Sequence, residues 1–410
     1  MRPMQKIQAA ADQLAPRFAV ALAFSFPIST FLSGLFSALI LLTALAQGRW
    51  RARLRAVGRN PVGVAAAVLL LMVMIGLFYG EGTWANASNY GGKYADLLLI
   101  PLLIPIFSDD RVRAQALNAF LAAMLLTLGL SCLMHWGFVR PDRWIHGTPR
   151  DASVFKDHIT QNILMAYAAF VFSLKAKLAT DWRHRALLAA LATLAIINIV
   201  FMVQGRTGYF ILPVLAAYFG FLTLRWRGVL VGTAAFLVLA LAAYAWSPSF
   251  HKRMDEAGRE SVGWVHGRDK GTPVGLRLEY YKKSLAIFAR HPFFGVGTGG
   301  FAVAYKNEVA HTTLAPTTNP HNQFVLIAVE LGVVGLAGFL YLLYRQWDTA
   351  SRLASPDKAL ARALLLTFVT GCLANSLLID ETERMFFITL TAVFWSALGD
   401  GSFRRSGEET

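Results

Sequence analysis

Long apolar runs recur along almost the whole chain, and they constrain its fold more than any other feature. The 410 residues are 56% hydrophobic and only 15% charged, whereas soluble domains are about a quarter charged. A transmembrane helix needs about 20 mostly apolar residues, and only helices or closed barrels can span a bilayer. Because the runs lack the alternation of barrel strands, the sequence predicts an all-α polytopic membrane protein.

The apolar runs divide into twelve predicted spans. The first two are separated at Pro27–Gly34 or form one long bent helix, and Pro101 and Pro105 indicate that the fourth is kinked or partly re-entrant. The spans are 18–30, 32–47, 61–79, 94–107, 114–138, 158–178, 186–203, 208–224, 228–246, 321–344, 359–379 and 385–399.

These spans form a single membrane domain with three parts. Residues 1–246 hold spans one to nine, residues 247–319 form the one long loop outside the membrane, and residues 320–410 hold spans ten to twelve and a cytoplasmic tail. Short links rich in Lys and Arg are cytoplasmic, which places both termini inside and the long loop outside. The basic residues on the inner side are Lys6, Arg17, Arg49, Arg51, Arg53, Arg55, Arg59, Lys175, Lys177, Arg183, Arg185, Arg225, Arg227, Arg345, Arg352, Lys358, Arg362, Arg404 and Arg405.

The net charge of +15 therefore reflects membrane topology, and no nucleic-acid-binding surface is predicted. Within the long loop, residues 277–290 have helical periodicity, with Glu279 four positions before Lys283, and Pro292 ends the helix. The apolar face consists of Leu278, Tyr281, Leu285 and Phe288. We expect an amphipathic helix at the outer membrane–water interface.

Polar residues at the outer ends of spans are the candidates for chemistry. His321 lies in a polar hexapeptide, 319–324, that opens directly into an apolar run. It either caps the helix start or, as a neutral imidazole, positions or deprotonates a hydroxyl. Arg206 either extends to lipid headgroups or binds phosphate oxygens, which Gly205 and Gly208 would allow it to approach closely. Together with Arg277, it would neutralise a diphosphate.

Four further residues are candidates for a supporting role. Lys156 and His158 flank Asp157 at an outer span end, where the segment either begins a helix or contacts substrate. Asp380 belongs to an acidic turn, which is either a solvated ion-pair cluster or a group that orients one of the arginines. Asn322 either satisfies local amides or supports the site.

Two other features have structural interpretations. Glu330 lies inside a predicted span, about 13 Å from His321 along the helix axis, and we interpret it as a buried structural partner. The glycine-rich loop 295–300 follows a helix, so tight packing explains it better than nucleotide binding. The sequence has no His-Glu-x-x-His, Cys-x-x-Cys or Asp-x-Asp motif, and no metal or cofactor is predicted.

Four segments, in this order, carry a resemblance to a known family: Gly205–Gly208, Arg277–Phe301, Pro320–Phe324 and Glu330–Gly332. Together they resemble the O-antigen ligase and polymerase family of bacterial envelope biosynthesis. The segments cover roughly the second half of the chain, while the first half contributes only hydropathy and span number. The length and the single long outer loop look most like an O-antigen ligase.

The resemblance implies a GT-C-like glycosyltransferase of the bacterial inner membrane. It implies metal-independent, inverting transfer of O-antigen polysaccharide from undecaprenyl diphosphate to a sugar of lipid A–core at the periplasmic face. Those two lipids and membrane lipids would be the partners. Arg206 and Arg277 correspond to diphosphate-binding positions and His321 to the catalytic position, with a looser correspondence at His158 and Asp380.

Three other functions are alternatives. An O-antigen polymerase would use the same donor with a carrier-linked acceptor, and a protein O-glycosylating transferase would have a larger external part. A transporter of lipid-linked glycans would carry charged residues throughout the membrane depth. In this sequence most such residues lie at the outer rim, with Glu330 as the main exception, which favours an enzyme.

Overall fold

The protein is a bundle of α-helices. The computed structural model describes residues 3–80, 82–246 and 248–398, so the tail with Arg404 and Arg405 lies outside the described residues. Those ranges contain no strand, only an isolated bridge between Thr148 and Asp151, and the all-α class is confirmed. Six of their helices are long and apolar enough to cross a membrane, or seven if one bent pair is a single span. This is consistent with a polytopic membrane protein, while twelve spans and a GT-C-like fold stay predictions.

The first part of the chain contains a broken segment. The helices are α1 (Pro3–Ser25), α2 (Thr30–Gln47), α3 (Trp50–Arg59), α4 (Pro61–Gly76), α5 (Trp84–Ala95), α6 (Leu99–Leu103) and α7 (Asp110–His135). Two 3-10 turns, Asp96–Leu98 and Ile106–Ser108, flank α6, so predicted span 94–107 is irregular, as its prolines indicated. The basic helix α3 meets α4 at an angle of 103°.

The second part contains a helix that doubles back. The helices are α8 (His158–Leu178), α9 (Trp182–Ile197), α10 (Arg206–Trp246), α11 (Pro248–Val265), α12 (Pro273–Arg290), α13 (Phe301–Val309), α14 (Gln323–Ala350), α15 (Asp357–Cys372) and α16 (Glu381–Trp395). In α10 the backbone leaves the helical conformation at Leu224 and Arg225. A Cβ on Gly228 would lie 1.8 Å from the Gly220 carbonyl oxygen, so the two halves, which match spans 208–224 and 228–246, pack against each other.

An aromatic cluster joins four segments at the centre of the bundle. Phe26, which follows α1, packs against Phe120 of α7 and Phe386 of α16, and Tyr167 of α8 completes the group. The ring centroids lie 5.4–6.4 Å apart. Between helices in a bilayer, association depends on close van der Waals packing more than on exclusion of water. This cluster therefore fixes α8 and α16, whose first residues lie near the candidate site.

The glycine-rich loop 295–300 packs beside an interruption of α14 and forms hydrogen bonds with it. Gly332 has φ 66° and ψ −163°, which interrupts the predicted continuous span 321–344. The Gly297 amide donates to the Glu330 carbonyl at 2.8 Å, and the Gly299 amide donates to the Glu330 carboxylate at 3.0 Å. Backbone groups freed by the break thus find partners, as burial requires. The structural interpretations of Glu330 and of this loop are both confirmed.

Helix α12 forms where the sequence predicted a helix, and the residues that it buries against the rest of the protein are not those of its predicted apolar face, whose position at the membrane–water interface stays a prediction. Thr272 caps its start, and its buried residues are Gly275, Glu279, Ser284 and Ile287. The predicted pair of Glu279 with Lys283 is wrong. Glu279 instead accepts a hydrogen bond from the Trp264 indole at 2.9 Å, while Lys283 pairs with Glu308 at 3.4 Å. A buried carboxylate needs a donor inside the protein, and α11 supplies one.

Candidate active site

The predicted hexapeptide forms the turn that leads into α14. Asn322 caps the helix, because its side-chain oxygen accepts from the Phe324 and Val325 amides at 3.0 and 3.1 Å. The alternative in which His321 is the cap is therefore wrong. His321 has a φ of 55°, a left-handed conformation that is uncommon outside glycine. Its amide donates to Asn319 Oδ1 at 2.8 Å, which helps to hold this conformation.

The His321 side chain is held by groups from two other parts of the chain. Its Nδ1 lies 3.2 Å from Asn375 Oδ1, and Asn375 Nδ2 donates to Asp380 Oδ2 at 2.7 Å. From α12, the Tyr281 hydroxyl lies between two carbonyl acceptors, at 3.3 Å from that of His321 and 3.2 Å from that of Leu373. The Tyr280 ring stacks with the imidazole at a centroid distance of 6.0 Å. The ring is thus fixed at the junction of α12, α14 and the turn before α16.

The surroundings of His321 favour its neutral form. Burial lowers the pKa of the imidazole from its ordinary value, and the positive charge of Arg277 lowers it further. The bond to Asn375 and the charge of Asp380 act in the opposite direction without reversing the shift. Since the ordinary value is about 6.5, the ring is mostly neutral at pH 7. A neutral imidazole has one nitrogen free to accept a proton.

Arg277 lies half-buried near the start of α12. The charged or titratable groups around it are Arg206, Tyr280 and Tyr281, and none of them is a carboxylate. Burial lowers the pKa of Arg277, with a further decrease from the neighbouring Arg206, although a guanidinium stays protonated in proteins. Within the described ranges Arg277 has no carboxylate partner, which is unusual for a charge removed from water.

Arg206 is the first residue of α10, at the end of a turn pressed against α8. A Cβ on Gly205 would lie 2.4 Å from the His158 carbonyl oxygen, and one on Gly208 would lie 2.5 Å from Ile199 Cγ2. Asn162 Nδ2 donates to the Gly205 carbonyl at 2.8 Å. The prediction that these glycines allow a ligand to approach needs correction, because their space is filled by α8 and the turn before α10.

Electrostatic interactions connect the three principal predicted residues in pairs. Arg206 and Arg277 repel each other, and Arg277 in turn acts on His321. Two like charges in a partly buried site destabilise each other. In the described part of the chain neither arginine forms a salt bridge, so an anion would find two unneutralised guanidinium groups. A planar guanidinium matches the oxygens of phosphate particularly well.

Asp157 and His158 have local structural partners. The Asp157 carboxylate caps α8 by accepting from the Ile159 and Thr160 amides at 2.8 and 3.1 Å, so the helix-start interpretation of this segment is confirmed. His158 Nδ1 lies 3.4 Å from Asp151 Oδ2. His158 is therefore not part of the group around His321, although its backbone supports the turn that carries Arg206.

Lys156 lies near the acidic turn that begins α16. Burial lowers the pKa of Lys156, and the carboxylates of Glu381, Glu383 and Asp157 raise it to a smaller extent. Arg384 in the same turn forms a salt bridge with Asp96 at 2.8 Å. The ion-pair interpretation thus holds for Arg384, but the expectation of a solvated cluster is wrong, because Glu383 and Arg384 are buried.

Asp380 is the exception in the acidic turn. Its carboxylate accepts from Asn375, which contacts His321, and among the described residues it forms no salt bridge with an arginine. Burial raises the pKa of this carboxyl, whereas the Asn375 bond and the charge of Lys93 lower it.

Asn375 was missed by the sequence reasoning, although a signal was present. It is a polar amide inside predicted span 359–379, and a polar residue at membrane depth usually has a specific partner. Lys93 was also missed. It lies in α5, a helix that the sequence analysis left as an outer link, and no periodic apolar pattern marked that segment.

Part of the chain matches known proteins. Residues 189–340 match the family model described as O-antigen ligase. A Haemophilus influenzae protein described as uncharacterized is 25% identical over 147 residues, which covers 34% of this chain and 37% of that relative. The chain therefore spans little more than a third of that relative's length. The family match contains Arg206, Arg277 and His321, while Lys156 and Asp380 lie outside it.

Proposed function

Because the chain belongs to the O-antigen ligase family through residues 189–340, we propose that it is a membrane glycosyltransferase of lipopolysaccharide assembly. It transfers O-antigen polysaccharide from undecaprenyl diphosphate to a sugar of lipid A–core. The reaction takes place at the periplasmic face of the bacterial inner membrane, without a metal ion, and inverts the anomeric centre.

The unpaired arginines carry this proposal. Arg206 and Arg277 lie in each other's electrostatic range, neither forms a salt bridge among the described residues, and His321, whose neutral form is favoured, lies in the range of Arg277. A sugar diphosphate supplies the missing negative charge, and the charge on its leaving oxygen increases as the glycosidic bond breaks. Donors aimed at developing charge are commonly the largest contribution to catalysis. The guanidinium groups also supply the charge that a divalent cation supplies in metal-dependent transferases.

In the proposed reaction the acceptor hydroxyl attacks the anomeric carbon from the face opposite the diphosphate. The new carbon–oxygen bond forms as the bond to the diphosphate oxygen breaks, and the electron pair leaves with the diphosphate, bound by Arg206 and Arg277. His321 accepts the hydroxyl proton. The donor bond itself provides the free energy, so no nucleotide is consumed.

The distribution of charge supports the proposed orientation. Helix α4 connects the basic helix α3 to Gly76, whose carbonyl accepts from the Thr298 amide near the site. Its 16 residues extend about 24 Å at 1.5 Å per residue. The arginines of α3 therefore lie near the end of the bundle remote from the site, as expected if that end is cytoplasmic.

A reconstituted assay tests the proposal. The purified protein receives undecaprenyl diphosphate-linked O-antigen and lipid A–core, with a chelator and without nucleotide. We expect glycosylated lipid A–core, detected as a mass increase on the acceptor. The Arg268→Ala variant is a matched control, since Arg268 is an exposed arginine of the same long loop, and it should transfer normally.

Other products would identify the alternatives. Carrier-linked glycans that lengthen while lipid A–core stays unmodified would identify a polymerase. Movement of the lipid-linked glycan across the bilayer with neither product would identify a transporter. Transfer that disappears with chelator and returns with a divalent cation would contradict the metal-independent mechanism.

A further inference from the structure

A chain of three side chains links the acidic turn to the candidate catalytic imidazole. Asp380 Oδ2 lies 2.7 Å from Asn375 Nδ2, and Asn375 Oδ1 lies 3.2 Å from His321 Nδ1. The middle residue is 6% exposed. These three hydrogen-bonded side chains connect Asp380, the N-cap residue of α16, with the turn before α14. The order of donors and acceptors along these three side chains determines which nitrogen of His321 carries a proton.

The orientation of the Asn375 amide is determined by its partner. The structure places the Asn375 NH₂ group toward Asp380 Oδ2, as an ionised carboxylate, which can only accept hydrogen bonds, requires. The distance of 2.7 Å is typical of a donor bound to a charged oxygen. The amide oxygen then necessarily faces His321. An amide oxygen has no proton to give, and the contact at Nδ1 is a hydrogen bond only if Nδ1 carries the proton.

We propose that Asn375, held by Asp380, is a positioning residue that fixes His321 as the tautomer with its proton on Nδ1. This inference rests on the proposed function only for the use of the tautomer. A neutral imidazole with Nδ1 protonated has its lone pair on Nε2. Nε2 forms no hydrogen bond within the described residues. It is therefore the atom that accepts the acceptor hydroxyl proton, after which both ring nitrogens are protonated and Asn375 still accepts from Nδ1.

The backbone contacts of His321 hold the position from which its side chain extends. Its amide donates to Asn319 Oδ1, and its carbonyl lies 3.3 Å from the Tyr281 hydroxyl, which also lies 3.2 Å from the Leu373 carbonyl. The orientation of the ring itself depends on the contact of Nδ1 with Asn375. Comparable third residues hold the catalytic imidazole of hydrolases in the required tautomer, and there the wrong tautomer costs up to about 10⁴ in rate. In this protein the holding group is a neutral amide, which fixes the tautomer without adding a charge next to the ring.

Several charged groups surround the three side chains and influence the protonation of His321 and Asp380. Arg277 of α12 acts on His321. Asp157, Lys93 and Glu383, from the start of α8, from α5 and from α16, act on Asp380. The two cations and two further carboxylates lie on different elements, so a substitution of Asn375 leaves them in place.

Nitrogen NMR measures the tautomer directly and does not depend on transfer. The full-length protein is labelled with ¹⁵N-histidine in detergent micelles, and the His321→Gln variant identifies the His321 signals among the nine histidines. At pH 8 we expect a protonated Nδ1 and an unprotonated Nε2. In Asn375→Leu, which removes the amide at similar size, we expect a mixture of both tautomers. A wild-type signal with Nε2 protonated, or an unchanged signal in Asn375→Leu, would overturn the proposal.

A double substitution separates positioning from a merely structural role. In Asn375→Asp/Asp380→Asn the chain of hydrogen bonds is kept, but the negative charge moves next to Nδ1. We expect Asn375→Leu to lower kcat about 10- to 100-fold at unchanged KM, and the double variant to restore most of it at pH 8. The adjacent charge raises the imidazole pKa. Because the unprotonated ring is the active form, the acidic limb of the kcat profile moves to higher pH.

The controls make each failure identifiable. Asn307→Asp introduces the same change at an exposed position of α13 and should leave the profile unchanged. Restored activity without a shifted limb would reduce Asn375 to a packing residue, and so would a further loss from Asn375→Leu in a His321→Gln background. If wild-type protein transfers no glycan while the tautomer behaves as expected, the proposed function fails and the inference about the tautomer stands.

Discussion

Arg277 and Arg384 are both removed from water, but they differ in what neutralises them. Arg384 is 5% exposed and donates to Asp96 at 2.8 Å and to the Leu378 carbonyl at 3.2 Å. Arg277 is half-buried and has another arginine and two tyrosines around it. A buried charge is tolerated when it is paired and hydrogen-bonded. The difference separates a charge that holds helices together from one that is available to a ligand.

The two carboxylates Glu330 and Asp380 differ in a similar way, because only Asp380 is connected to the candidate site. Glu330 accepts from the Gly299 backbone and closes the break in α14, so its bonds end within the framework. Asp380 accepts a hydrogen bond from Asn375, and Asn375 in turn contacts His321. The framework uses its polar groups to satisfy one another, while the site leaves Arg206, Arg277 and one imidazole nitrogen without partners in the described chain.

The largest expected effect is a loss of stability on breaking the salt bridge between Arg384 and Asp96. Arg384→Ala leaves Asp96 without its cation, and loss of one partner of a buried pair costs about 3–5 kcal/mol. We expect a large fall in the unfolding midpoint in detergent, with loss of transfer as a consequence. The double variant Arg384→Met/Asp96→Leu removes both charges and should recover most of the midpoint, since apolar replacement of a buried pair is often neutral.

The double variant is also the decisive comparison for Arg384. If it folds as well as the wild type yet transfers no glycan, Arg384 or Asp96 acts in catalysis and the distinction between the two arginines is lost. A normal midpoint in Arg384→Ala would show that the pair contributes little to stability.

Removing the charge at Arg277 should reduce transfer without reducing stability. Arg277→Ala relieves repulsion with Arg206, so the unfolding midpoint should not decrease. Transfer should fall about 10²- to 10³-fold, the usual loss when one donor to developing charge is removed. Arg277→Lys keeps the charge but not the two-pronged geometry and should recover only part of the rate.

Inhibition by inorganic diphosphate provides an independent measurement of this effect. Diphosphate should inhibit the wild type and inhibit Arg277→Ala much less, while Arg268→Ala behaves as the wild type. Near-normal transfer by Arg277→Ala would remove this residue from the diphosphate site. Equal inhibition of all three proteins would place the anion elsewhere.

The sequence predicted the helical class from its apolar runs, and the structure confirms that class. The motifs around Arg206, Arg277 and His321 predicted a site whose role stays a prediction. The folding back of α10 was predicted as two spans, 208–224 and 228–246, joined by a short link. The break at Gly332 was not predicted, because hydropathy does not report backbone direction. Partners such as Asn375 for His321, or Trp264 for Glu279, are distant in sequence and become neighbours only through packing.

The smallest expected effect concerns charges that are paired but exposed. Arg290 and Lys283 both pair with Glu308, and the Arg290 side chain is 55% exposed. Exposed pairs contribute about 0–1 kcal/mol, so Arg290→Ala should shift the unfolding midpoint slightly and leave transfer unchanged. Raising the salt concentration should remove even that difference. If Arg290→Ala instead matched Arg384→Ala in its loss of stability, pairing alone would determine the contribution of an arginine to stability. Burial would then play no part, and the contrast between Arg277 and Arg384 would have to be explained by their partners only.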